Sequence, residues 1–427
     1  MKKVFLTLII LFLSILHVKS ELTLEHCQEL ARENYPALKK YGLLEKSLDI
    51  DLSDINKSWL PSISFYGQGT IQNVTPSFPQ VLENILTQMG QEIKGLGNLQ
   101  YKIGVDVSQP IWDGGVSKAK RELIRSQDEM QKASLEVELY ALRQKVENIY
   151  FAILLTREQI NQSRLTLELL NANLSLLESM YKNGTAMKSD LDMVKAQALT
   201  LKQTITQAES SEISYKKLLG IYIGEDVTNE MLVTPNATMP NSLNSNRPEL
   251  QLFDSRLLTS ESSRNLINAS LMPKIGLFAQ AYYGYPGFDY FKSMMSRDLS
   301  FNILAGVKAS WSIDAFYNKK NRLNKIELDL NNIEIEREIF LFNSNLQTEK
   351  DLEAIKGLKK VMEDDSQIIE LRQNVRKAAE SQLRNGIIDA TALLSKITDE
   401  NIARLTAKLH EIQYIQQIHN LKNTLNQ

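Results

Sequence analysis

The sequence predicts an internally duplicated α+β membrane protein, in which long α-helical coiled-coil segments accompany four β-strands per chain that contribute to a barrel shared with other copies. Three observations predict it. Landmark residues recur in one order at two constant offsets. Each half holds a helical pattern far longer than a globular helix. Each half also holds strands whose apolar and polar residues alternate, and four strands are too few to close a barrel alone.

The duplication comes first. Asn34 and Pro36 recur as Asn246 and Pro248, and Ser58 and Pro61 recur as Ser270 and Pro273, both at an offset of 212. Gly104 matches Gly306, and Asn183-Gly184 matches Asn385-Gly386, at an offset of 202. The first half therefore carries about ten extra residues between Pro61 and Gly104. The pattern assigns residues 21–221 to the first repeat, 222–246 to a linker and 247–427 to the second.

In each half a helix follows the first proline, over 36–58 and 248–270, because proline suits the first helical position. Pro61 and Pro273 end those helices and open strands. Long helices follow over about 117–181 and 318–382. Leu135, Leu139, Leu142, Val146, Ile149 and Ile153 step by four and three, which is a coiled-coil seam. Each long helix would span about 97 Å at 1.5 Å per residue. Gly184 and Gly386 end them. Return helices follow over about 187–220 and 389–425. The proline-started and return helices together match the long helix in length. Stacked end to end, they would flank it.

The strands are expected over about 62–71, 101–111, 274–283 and 299–312. The last is clearest: Phe301, Ile303, Ala305, Val307 and Ala309 alternate with Asn302, Leu304, Gly306, Lys308 and Ser310. From alternation alone, a soluble sheet packed on a core is an equal reading. Two features favour lipid outside and water inside. No other apolar surface is evident to cover the sheet, so pooling strands between chains is required; three chains would give twelve. Trp59, Trp112 and Trp311 all fall at the strand ends next to the helices, as an interfacial belt requires. The loop over 75–99 is longer than its partner and has room for a short helix over 81–94.

Residues 1–20 read as a secretory signal: Lys2 and Lys3, an apolar run over 4–16, then Val18 and Ser20 at a small-residue cleavage site. Its removal leaves 46 basic against 51 acidic residues, a net charge of −5, which argues against nucleic acid as a partner. Beyond it no apolar run is long enough for a membrane helix. Cys27, the only cysteine, reads as a small buried thiol; Leu24, Glu25 and His26 before it do not resemble a lipoprotein cleavage site.

Over essentially the whole mature chain the sequence resembles the TolC-like outer-membrane efflux family. The residues that carry this are Leu22-Thr23-Leu24-Glu25 with Asn34 and Pro36, Leu60-Pro61, Gln109-Pro110-Ile111-Trp112-Asp113-Gly114-Gly115, and Tyr181-Lys182-Asn183-Gly184 running to Asp190 and Ala196-Gln197. The resemblance implies a homotrimer with a twelve-stranded barrel in outer-membrane lipid and a helical tunnel through the periplasm. It would be a passive conduit for small molecules such as drugs or other toxic compounds. The implied partners are a periplasmic adaptor (membrane fusion) protein and an inner-membrane pump of RND, ABC or MFS type. Asn183, Gly184 and Thr185, with Asn385, Gly386 and Ile387, would form the adaptor-contact tips. Asp190 matches an acidic gate position. The family's basic and aromatic partners are replaced by Ile388 and Leu383, and its acidic pair by Ala392 and Ser395. The closed state would then rest on apolar contacts, or on Asp389 and Asp192. Ser312-Ile313-Asp314-Ala315-Phe316 also departs from the Asp-Gly-Gly turn.

Enzyme readings find little support. No catalytic set, metal site or cofactor is expected: His410 and His419 lie nine apart, wrong for a shared metal, and no Gly-rich phosphate loop follows a strand. Two rivals remain. One keeps the fold and carries protein cargo, as in type I secretion. The other is a periplasmic coiled-coil adaptor.

Overall fold

The computed structural model describes residues 22–90, 93 and 95–427. The expected signal over 1–20 lies outside them. The first half runs α1 (Leu24–Asn34), a 3-10 turn (Pro36–Lys39), α2 (Lys40–Lys57), β1 (Ser62–Ile71), α3 (Gln80–Gln88), β2 (Leu99–Trp112), α4 (Val116–Lys182) and α5 (Lys188–Ile223). The second runs α6 (Pro248–Ser270), β3 (Lys274–Tyr285), α7 (Tyr290–Met295), β4 (Ser300–Ser310), a 3-10 turn (Asp314–Phe316), α8 (Lys319–Arg384) and α9 (Ala390–Leu425).

Several elements differ from the sequence expectation. Helix α1 was not anticipated; Thr23 caps it, its hydroxyl accepting from the His26 amide at 3.3 Å. Pro36 then holds Tyr35 extended (φ −68°, ψ 126°), so the chain restarts through a 3-10 turn rather than as one helix over 36–58. Strand β4 stops at Ser310 instead of 312, because the Trp311 indole turns away to donate to the Leu271 carbonyl at 3.0 Å. Strand β2 reaches Trp112 through an irregularity at Pro110, which has no amide hydrogen for the ladder. The short helix in the 75–99 loop occupies Gln80–Gln88.

The chain divides into two compact units, and each draws on both repeats. One comprises the described residues up to Tyr41 with Ala133–Leu252 and Glu336–Gln427. Its core centres on α4, where Tyr150, Phe151, Ile153 and Leu154 are all buried and pack with α1, the α5 end and α9. Burying adjacent pairs takes more than one helical face. At about 1.5–3 kcal/mol per side chain, that wide face outweighs the weak propensity of its β-branched and aromatic residues. The Tyr150 hydroxyl lies 2.8 Å from the Leu22 carbonyl oxygen and 2.6 Å from that of Val233, tying both segments of the parallel Leu22–Leu232 bridge to α4.

The repeated asparagines close the return helices. The Asn34 amide donates to the Ile221 and Tyr222 carbonyls (3.2 and 3.1 Å), and Gly224 (φ 79°) bends away against that side chain. In the second half the Asn246 backbone amide donates to the Leu425 carbonyl at 2.8 Å. In both halves the return helix thus ends against the start of the proline-led segment.

The other unit, Gly42–Lys132 with Phe253–Ile335, holds the sheet, an antiparallel meander ordered β1-β2-β3-β4. The register aligns one apolar face across it: Phe65 opposite Val105, Val105 opposite Ala281, Ala281 opposite Ile303; and Ile103 opposite Tyr283, Tyr283 opposite Phe301. This face is bare: Phe65 is 81% exposed, Ile103 68%, Phe301 67% and Val307 68%. The opposite face carries Tyr66, Gln68, Lys102, Asp106, Lys274, Gln280, Asn302 and Lys308. Glycines there make room for flat rings: a Cβ on Gly104 would lie 2.9 Å from Tyr66, and one on Gly306 2.9 Å from Phe278.

Candidate functional site

The two turns between long and return helices are built alike. At the end of α4 the Gly184 amide donates to the Tyr181 carbonyl at 3.0 Å and the Thr185 amide to that of Met180 at 2.9 Å. At the end of α8 the Gly386 amide donates to Leu383 at 3.0 Å and the Ile387 amide to Gln382 at 2.9 Å. Both glycines sit in the left-handed region, at φ 74° and 69°. This is the Schellman arrangement that satisfies the last helical carbonyls. The turns lie at one end of the helical unit. Leu170, Leu177, Val194, Leu383, Leu393 and Ile397 form one buried cluster behind them, and Thr391 donates to the Met193 sulfur at 3.4 Å. Asn183, Gly184, Thr185, Asn385, Gly386 and Ile387 are therefore brought together, all exposed. Met187 and Ile387 leave 72% and 69% of their surface in solvent, at the outermost part of the turns.

The two acidic gate candidates are both helix caps. Asp190 reaches back from the first turn of α5, its carboxylate accepting the Met187 amide at 3.0 Å. Asp389 is the N-cap of α9 and accepts the Ala392 amide at 2.8 Å. Negative charge there also meets the positive helix end. Leu383, which stands where an aromatic gate partner was expected, is buried within its own protomer, and Ile388 is half-buried beside the same cluster. Charge inside the tip is pooled higher up: Glu400 pairs with both Arg376 and Arg404, and Arg376 also with Glu380.

In the strand-bearing unit the three tryptophans share one end of the sheet. Trp59 precedes β1, which begins opposite Ser108; Trp112 pairs with Ile275; Trp311 follows β4, which ends opposite Lys274. Trp112 and Trp311 are exposed and Trp59 is half-buried. The repeats reach the following helix by different routes. In the first, the Asp113 carboxylate accepts the amides of Gly115 (2.9 Å) and Ser117 (2.6 Å), and Gly114 lies so close to Met272 that a Cβ would be 2.7 Å from it. In the second, the 3-10 turn at Asp314–Phe316 replaces the glycine pair, and Phe316 packs edge-on to Trp311 at 6.0 Å.

Known proteins resemble this chain in sequence and in fold. The family described as outer membrane efflux protein matches residues 29–214. The pyoverdine export outer membrane protein OpmQ of Pseudomonas putida is 24% identical over 176 residues, 38% of this chain and 37% of that protein. The likeness in fold extends past the matched stretch. The outer membrane protein VceC of Vibrio cholerae superposes with a TM-score of 0.67 at 13% identity, over 94% of this chain and 95% of that one. The outer membrane channel CmeC of Campylobacter jejuni gives 0.65 at 14% identity, over 94% and 85%. The fold is TolC-like. No helix among the described residues is long and apolar enough to cross a membrane.

Cys27 is wholly buried, and burial, with Glu25 and Glu225 nearby, pushes its thiol up to about 12. It is an inert core thiol. The sequence reading missed a buried carboxylate, Glu147, whose hydrogen-bond partner Asn423 is 276 residues away. Only its place in the α4 seam, between Val146 and Tyr150, hinted that it faces inward.

Proposed function

We propose that the chain is one protomer of a homotrimeric conduit that carries small molecules, such as drugs or other toxic compounds, from the periplasm across the outer membrane. The observation that carries this is the sheet: one continuous apolar face left bare, with the outer edges of β1 and β4 unpaired among the described residues. Only a closed barrel satisfies such edges in lipid, and four strands cannot close one. Three copies pool twelve, with the tryptophans at one bilayer interface. The conduit performs no chemistry; an inner-membrane pump supplies energy through a periplasmic adaptor. The small-molecule reading accords with the pyoverdine export named for the Pseudomonas relative. The test is expression of the full chain in a Gram-negative host. Outer-membrane fractions should hold a trimer that dissociates on heating and conducts in planar bilayers. A soluble monomer that leaves bilayers unpermeated overturns the reading.

The paired turns are the adaptor contact, with Met187 and Ile387 as apolar knobs, and Asp190 and Asp389 line the gate. Gly184→Val and Gly386→Val are expected to abolish adaptor crosslinking while the trimer persists. Nothing lies within 4 Å of a Cβ at either glycine, so the damage is the left-handed strain, about 1–2 kcal/mol per residue, confined to the turn. Crosslinking yields equal to the parent's would remove these turns from the contact.

A further inference from the structure

The polar face of the sheet carries four charged side chains: Lys102 and Asp106 on β2, Lys274 on β3 and Lys308 on β4. They form three levels. Asp106 lies midway, opposite Gln280, and its carboxylate accepts from the Gln280 amide at 2.8 Å, while that amide also donates to the Tyr66 hydroxyl at 3.0 Å. Lys102 lies four residues along β2 from Asp106, opposite Gly284. Lys308, opposite Gly276, and Lys274, opposite Ser310, are diagonal neighbours on the other side of Asp106, near the tryptophan end.

At about 3.4 Å per residue, Lys102 and Asp106 are roughly 14 Å apart along the strand. That exceeds the Debye length of about 8 Å at physiological salt, so the carboxylate does not cancel the lysine. Among the described residues no carboxylate lies within ion-pair distance of Lys102, Lys274 or Lys308. Lys102 is instead held over aromatic faces, its Nζ 5.7 Å from the Tyr66 ring centre and 5.3 Å from that of Tyr282. Those contacts position the ammonium and leave its charge unneutralised. Tyr282 is itself fixed, its hydroxyl donating to the Pro286 carbonyl at 3.1 Å and its ring edge-on to Phe288.

We propose that the pore of the barrel selects for anions, with Lys102 and the Lys274–Lys308 pair as its charge-selecting residues and anionic small solutes as its favoured cargo. This rests on the trimeric-conduit reading, which turns the polar face inward. Three lysines and one aspartate per chain become nine and three around one axis, and rings of one sign in a pore set its ion preference.

The test uses the full chain, purified as a trimer and inserted in planar bilayers under a potassium chloride gradient. The zero-current potential is expected to give a chloride-to-potassium permeability ratio above one. The triple variant Lys102→Gln, Lys274→Gln, Lys308→Gln is expected to lower that ratio about three-fold or more, and the triple Lys→Arg variant to keep it. A conducting parent that prefers potassium, or a triple glutamine variant with the parent's ratio, overturns the proposal while the conduit stands. Trimers without any conductance overturn the conduit and this proposal together. Should the glutamine variant not assemble, the sign measured on the parent still decides.

Discussion

Ile303→Arg should abolish assembly of the trimer in the outer membrane, whereas Leu304→Arg, one residue further along β4, should leave it intact. The two positions are adjacent in sequence and opposite in orientation. Ile303 pairs with Ala281 on the bare apolar face, and Leu304 pairs with Gln280 on the polar face. A guanidinium facing lipid near the bilayer midplane costs about 2–4 kcal/mol. The trimer would carry that cost three times, which is comparable to the whole stability of a typical domain. The Leu304 position faces water in the proposed conduit, where an added arginine loses no solvation. Outer-membrane fractions run on gels with and without heating read the outcome. Equal yields of heat-sensitive trimer from both variants would mean that alternation along β4 does not separate lipid from water, and the face assignment would be wrong.

What the sequence could show follows from the range of each interaction. Periods of two and of seven are local. That made the strands around Ile303 and the seam from Leu135 to Ile153 legible within a residue or two of their ends. Glycine at a left-handed helix end is equally local, and so were the turns at Gly184 and Gly386. Helix α1 escaped because its 11 residues bury only Leu24, Cys27 and Ala31, too sparse a pattern to read. The strand-to-helix turn at Asp314 escaped because it reaches its end by Trp311 packing on Phe316 rather than by the residues of its counterpart. Asp190 and Asp389 were read from the sequence as gate acids. That their carboxylates are engaged by backbone amides depends on where the helices begin. Contacts across hundreds of residues, such as that of Glu147 with Asn423, leave no periodic trace at all.

That last contact gives the helical unit a pH dependence of definite sign. Glu147 is 1% exposed; one carboxylate oxygen accepts from the Asn423 side chain, and the other has no partner among the described residues. Burial pushes the carboxyl up from 4.5 to about 7, against the opposing pull of the Asn423 bond and the charges of Arg143 and Lys422. A folded value above the unfolded one means that the protonated acid is the form the fold prefers. Its contribution is complete below about 4.5 and is lost as pH rises through about 7. At 1.36 kcal/mol per unit the loss is on the order of 3 kcal/mol. His419 works in the opposite direction: burial foremost, then Lys422, depresses its imidazolium, so stability falls as pH drops below the ordinary histidine range. Comparing the parent with Glu147→Gln cancels the histidine, since both carry it. The variant keeps the shape and the neutral form. It is expected to unfold at the parent's temperature at pH 4 and at a higher temperature at pH 8, followed by loss of helical circular dichroism. If the parent and Glu147→Gln differ equally at both pH values, the carboxyl is not titrating in the folded chain, and the missing partner of its second oxygen is water reaching the α4–α9 interface.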